Sequence, residues 1–247
     1  MDITVAQWSI LILITVFASI AQSAIGFGFS LIAVPVFLIV LDVEIAVQLA
    51  MILTFSIAVV MIFATWKDTP VVTFKRLVLG STIGFPLGFL FFSIATPELV
   101  KIVVGIAIIV ALLLTRLNIF RSRHLKESAA NGVGAGVISG AMVTSIVMAG
   151  PAIAIYANAV GFGKAKTRAI VFSVFLFSYG TAIVIHAVFN GFAASVSGFS
   201  MYLLPATLFG TAIGHWLAGR ISEKFFSRLL TVTLVTVALY LIYSVII

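Results

Sequence analysis

The chain has 247 residues, of which 63% are hydrophobic and 9% charged, and its mean hydropathy is +1.32. So apolar a composition excludes a water-soluble domain, and the lack of cysteine excludes disulfides, thiolate metal sites and a cysteine nucleophile. The net charge of +7 reads as basic loops beside a membrane, so the lipid bilayer is the expected partner and nucleic acid is not.

Apolar segments follow one another over 7–41, 44–65, 73–95, 98–115, 129–158, 167–189, 198–219 and 225–246. A helix of about 20 residues crosses the hydrocarbon core. Six segments have that length. The first and the fifth, at about 30 to 35 residues, overshoot it as single helices. Each carries small and polar residues near its middle, "QSAIGFGFS" over 22–30 and "SGAMVTS" over 139–145.

The halves match in order. Each has one long interrupted segment and then three ordinary ones. Pro35 corresponds to Pro151, and "GSTIGFPLG" (80–88) to "GTAIGHWLAG" (210–219). This pattern predicts an internal duplication, with the basic linker 116–128 between a first repeat (1–115) and a second (129–247). The glycines of "GSTIG" and "GTAIG" read as helix-packing faces.

Charge decides the relative orientation. If the fifth segment crosses once, the Lys and Arg residues divide evenly between the two sides. If it folds back, all fourteen except Lys101 share one side, which the positive-inside rule makes the cytoplasm. The predicted fold is all-α and polytopic. It has two inverted repeats, each an interrupted helical hairpin plus three transmembrane helices, giving about 8 to 10 membrane helices.

A hairpin tip at membrane depth exposes backbone, which is tolerated only where it is buried in protein or lines a cavity. Freed N–H groups at helix N-termini suit an anion. The two tips are therefore predicted to meet near the midplane and hold substrate between them.

At these residues the sequence resembles a family. "AQSAIGFGFSLIAVPVF" is similar to the first-repeat signature of the TauE/SafE permeases, or sulfite exporters. "GVGAGVISGAMVTSIVMAGPAIAIYANAVGFGKAKTRA" is similar to the second-repeat counterpart. The resemblance covers nearly the whole chain, and Phe27 and Phe29 stand where some members carry further glycines. It implies movement of small sulfur-containing or carboxylated anions across the bacterial cytoplasmic membrane. By motif it points to Gln22, Gly26, Gly28, Ser30 and Pro35, and to Ser139, Gly140, Thr144, Ser145 and Pro151.

Charged and titratable residues inside apolar helices add candidates. Arg168 opens the sixth segment, roughly where Gln48 stands in the second, and both are candidate substrate-binding residues. His215 and Glu44 are candidates for a coupling proton. His186 reads as an interfacial or hydrogen-bonded residue. No HExxH, GxSxG or Walker A sequence occurs, so neither enzyme chemistry, a cofactor nor a metal is expected. The expected function is a secondary transporter, in the export sense, of sulfite or organosulfonates by alternating access. The rivals are an anion channel and a membrane accessory protein without transport. A second copy of the chain is a further candidate partner.

Overall fold

A computed structural model of the chain describes residues 3–116, 125–218 and 220. The eighth apolar segment, 225–246, and most of the basic linker lie outside the described residues. Among the described residues every regular element is helical. The helices are α1 (Val5–Ile25), α2 (Phe29–Val40), α3 (Val43–Thr65), α4 (Val71–Ile94), α5 (Pro97–Arg116), α6 (Ala129–Ile146), α7 (Gly150–Ala159), α8 (Lys164–Phe189) and α9 (Ala194–Leu217). Helices α1, α3, α4, α6, α8 and α9 are long and apolar enough to cross a bilayer. The chain is a polytopic membrane protein, as its composition requires.

The two long segments are each broken in two. α1 is followed by α2, of 12 residues, and α6 by α7, of 10. At 1.5 Å per residue these short helices reach about 15 to 18 Å, half a bilayer.

Side-chain contacts fix the helix directions. Trp8 stacks on Phe199 and Tyr202, with ring centroids 5.3 and 5.4 Å apart. Further along, Gly210 lies on Val16 and Ser19, and Gly214 on Ile20 and Ser23, so α1 and α9 run parallel. α4 and α6 also run parallel: Gly80 meets Gly136, Gly84 meets Val137 and Ala141, and Gly88 meets Thr144. The contacts of α3 with α8 run the other way, from Gln48 against Gly191 to Phe55 against Gly180. Phe85 on Phe177 and Phe89 on His186 make α4 and α8 parallel. Thus α1, α3 and α9 point one way and α4, α6 and α8 the other.

Both parallel pairs are built on small residues, as expected of "GSTIG" and "GTAIG". Lipid tails offer no hydrophobic gain for helix association, so close backbone approach and interhelical hydrogen bonds must supply it. Across α4 and α6, Ser81 donates to the Gly136 carbonyl (3.3 Å) and Thr144 to the Phe85 carbonyl (3.0 Å).

Gln48 has a well-defined structural task. Its Nε2 donates to the Gly191 carbonyl (2.9 Å) and to Glu44 (3.1 Å), and its Oε1 accepts from the Ala193 N–H (3.0 Å). The side chain thereby satisfies the turn between α8 and α9. Gln48→Leu leaves the Gly191 carbonyl and the half-buried Ala193 N–H without their side-chain partner and should cost about 1–2 kcal/mol, water offsetting part of the loss. A lowered melting temperature with an unchanged transport KM is the expected pair of readings.

Candidate functional site

The first break is made by glycine. α1 ends at Gly26 (φ 111°), and Gly28 (φ 128°) precedes α2; side-chain-bearing residues rarely adopt either conformation. Gly28 offers α2 no capping side chain, so Gln22 supplies one from seven residues away. Its Oε1 accepts from the Phe29 N–H at 3.2 Å. The Gln22 Nε2 is buried and has no partner.

The second break lies at 147–149 and has a different construction. α6 stays helical through 139–145 to Ile146, so the interruption expected at 139–145 is displaced toward the C-terminus. The small residues of that stretch are occupied elsewhere. Gly140 packs on the Ser81 backbone, the Thr144 hydroxyl binds α4, and Ser145 donates to the Ala141 carbonyl at 2.6 Å. Ser139 is buried with its hydroxyl unpartnered. Val147 makes the turn itself, with φ 63°. A β-branched residue in that region stores about 1–3 kcal/mol of strain. Pro151 then starts α7 in its first turn, where its missing N–H costs nothing. Pro35 lies inside α2, so the two prolines paired by sequence have different local roles.

The two breaks meet. A Cβ placed on Gly150 would come within 2.8 Å of the Phe27 Cβ and 3.1 Å of the Phe175 ring, so only glycine fits there. α8 receives both breaks on one face, at Arg168, Phe175, Tyr179 and His186, whose spacings of 7, 4 and 7 keep them in line. Tyr179 is fully buried and its hydroxyl donates to the Val147 carbonyl (2.7 Å). That proton being used, Ser30 donates to the Tyr179 oxygen and Thr54 to Ser30, both at 3.3 Å. A directed hydrogen-bond chain therefore joins α3, the start of α2, α8 and the second break. Tyr179→Phe strands the Val147 carbonyl and should lower stability by about 1–3 kcal/mol, read as a drop in thermal midpoint of the purified protein.

Ser30 lies beside Thr54, at the middle of α3, and α2 leads from there back to the α3 N-terminus. Gly150 lies beside Phe175, near the middle of α8, and α7 leads back to the α8 N-terminus. The half-helices therefore place their N-termini toward each other at mid-depth, and each presents N–H groups without intrahelical acceptors.

Arg168 borders the first break. Its stem covers Gly26, its Nη2 donates to the Ser23 carbonyl (2.6 Å), and its Nε is buried without a partner. Of the residues singled out from sequence, Gln22, Gly26, Gly28, Ser30 and Arg168 gather here. Thr144 and Ser145 end α6 just before the second break, whereas Ser139 and Gly140 lie further back along α6. Gln48 lies at the α8–α9 turn. Glu44 is exposed beside a cavity of about 580 Å³, also lined by Asp42, Phe92, Ser93, Lys101 and Asn190. His215 sits on the exposed face of α9. The residues sequence reasoning passed over are Tyr179 and Thr54. The available signal was a tyrosine mid-way along an apolar helix, whose hydroxyl needs a partner when buried.

Spanning helices of both directions, with two broken ones meeting at mid-depth, define a polytopic membrane protein of the kind that builds a site inside the bilayer. The chain belongs to the sulfite exporter TauE/SafE family, whose model matches residues 11–241. It is accordingly a membrane transporter of a sulfite and anion exporter family. No curated protein and no solved structure matches the chain.

Proposed function

We propose that this protein carries sulfite, organosulfonates or related small anions across the bacterial cytoplasmic membrane by alternating access, with the anion held where the two breaks meet. The observation that carries this reading is the pair of buried, unpartnered N–H donors, Gln22 Nε2 and Arg168 Nε, bordering a break from which a half-helix N-terminus starts. A buried donor without an acceptor costs about 1–3 kcal/mol, more when charged, and a bound oxyanion removes that cost. Two converging N-termini add positive potential without a second fixed charge.

The helix directions support the inverted-repeat reading. α1 and α6, which open residues 1–115 and 129–247, point in opposite senses. α1 packs on α9 as α6 packs on α4, so the halves exchange equivalent faces. The basic side chains Lys67, Lys75, Lys164 and Lys166 lie at the end where α3 finishes and α4 and α8 begin. That end is the cytoplasmic one in this reading. The 580 Å³ cavity opens at the other and serves as the outer vestibule.

The test is counterflow of radiolabelled sulfite and sulfoacetate in vesicles containing only this protein. Saturable, trans-stimulated uptake is expected. Linear, non-saturating flux would replace the carrier with a channel, and no flux of any anion would remove the transport site.

A further inference from the structure

Resting on the carrier reading above, we propose that His186 is the proton-binding site that couples substrate movement to protons. The residue is fully buried, and its Nε2 lies 3.0 Å from the Thr144 carbonyl. A carbonyl only accepts, so Nε2 holds the hydrogen and the neutral ring presents a bare lone pair at Nδ1. That Nδ1 is buried and has no partner. Thr144 belongs to the last turn of α6, directly before the second break.

Phe92 stands between the ring and the outer cavity. Phe92 packs on the ring at a tilt, 4.9 Å between ring centroids, Phe89 meets it edge-on at 5.5 Å, and Phe92 also lines the outer cavity. Asn190, the residue that caps the C-terminus of α8, lines the same cavity and donates its N–H to the His186 carbonyl (3.0 Å). A rotation of Phe92 would connect Nδ1 to the vestibule. The groups packed on the ring, Phe89 and Phe92 from α4 and the Thr144 carbonyl from α6, carry no charge. The charged side chains of the cavity are Asp42 just before α3, Glu44 in its first turn and Lys101 on α5.

Coupling follows from electrostatics. An imidazolium with no counter-charge is costly in so dry a place, as is an anion at the breaks with only dipoles and one guanidinium around it. Each partly offsets the other: Phe175, where the breaks meet, and His186 lie about 16 Å apart along α8, a separation at which opposite charges attract by about 1 kcal/mol, a severalfold change in affinity. Anion and proton therefore bind together, and by linkage each raises the affinity for the other. They cross the membrane in the same direction. The proton enters at Nδ1 and leaves from it; no bond of the substrate changes.

The experiment uses vesicles carrying a trapped pH dye and an inward sulfoacetate gradient. This probe stays fully ionised between about pH 6 and 8, unlike sulfite, which itself exchanges protons there. Wild type should acidify the lumen as sulfoacetate enters, and its KM for sulfoacetate exchange should fall severalfold from pH 8 to 6. His186→Gln keeps a donor for the Thr144 carbonyl but cannot hold the proton. It should exchange sulfoacetate with the raised KM that wild type shows at pH 8, lose lumen acidification under net uptake and show a KM independent of pH. His186→Asn, with a shorter amide, takes its place if the glutamine variant does not fold.

Acidification that persists in the variant overturns the proposal, and so does net wild-type sulfoacetate uptake without lumen acidification. Loss of exchange in both folded variants assigns the ring to packing and overturns it as well. Wild type that exchanges no anion at all overturns the carrier reading on which the proposal rests.

Discussion

Gly84→Ala should sharply lower the thermal midpoint and the folded yield of the protein. A methyl group at that position would overlap the Val137 carbonyl oxygen and crowd the Ala141 nitrogen. Both are backbone atoms, so no rotamer change can make room. Helices α4 and α6 would have to separate. Separation also loosens the contacts at Gly80 and Gly88 and stretches the hydrogen bonds from Ser81 to Gly136 and from Thr144 to Phe85. Overpacking of a side-chain core costs about 1–3 kcal/mol. With two interhelical hydrogen bonds lost in addition, the expected loss exceeds about 3 kcal/mol, a large fraction of the roughly 5–15 kcal/mol that holds a protein folded. The control is Gly134→Ala on α6 itself, where an added Cβ meets nothing within 4 Å. That change should leave the thermal midpoint unchanged or raise it slightly, because alanine favours the helix by about 1 kcal/mol. Equal folded yields of the two variants in detergent would mean that the glycine seam does not hold α4 to α6.

The second large effect concerns the donors beside the first break. Gln22→Glu keeps an oxygen acceptor for the Phe29 N–H while replacing the unpartnered NH2 with an anionic oxygen. It should raise the sulfite KM at least tenfold, since a charged hydrogen bond of about 1.5–3 kcal/mol becomes a repulsion, and its melting temperature should also fall because the carboxylate is buried beside a single guanidinium. Arg168→Leu removes the guanidinium and should raise KM by a similar or larger factor. It also strands the Ser23 carbonyl, so its melting temperature should fall. Arg168→Lys restores the charge but not the planar donor set and should recover only part of the affinity. The two sites border one break, so the double variant should lose less than the product of the single losses. Unchanged KM in both folded single variants would return these side chains to packing.

Much of this was legible in the sequence. Two over-long apolar segments required two interruptions, and the first was visible because Gly26 and Gly28 are the residues a left-handed backbone selects. The second was displaced because the same small residues serve a different purpose in the other half. Gly136 and Gly140 are small so that α4 can approach, while the turn falls on Val147, which sequence propensity argues against. Pro151 was the better marker, since a proline in a first helical turn places a break immediately before it. Arg168 was recognisable as a cation inside an apolar segment. The meeting of the breaks across Tyr179 was not, because it joins residues 149 positions apart and depends on how α8 lies between the halves. The sequence offers His186 as interfacial or hydrogen-bonded; the structure gives it an interhelical hydrogen bond to the Thr144 carbonyl and buries it among α4 aromatics.

The exchange of packing partners between the halves has a consequence for how the chain is made. At about 5–20 residues per second, α9 leaves the ribosome about 10 to 40 s after α1. During that interval the α1 face formed by Ser19 and Ser23 has no glycine-bearing neighbour and must sit against lipid or an insertion factor. α6 follows α4 about three times sooner. The Gly80–Gly84–Gly88 seam is therefore the first to close, and α1, the first helix synthesised, is among the last to find its place.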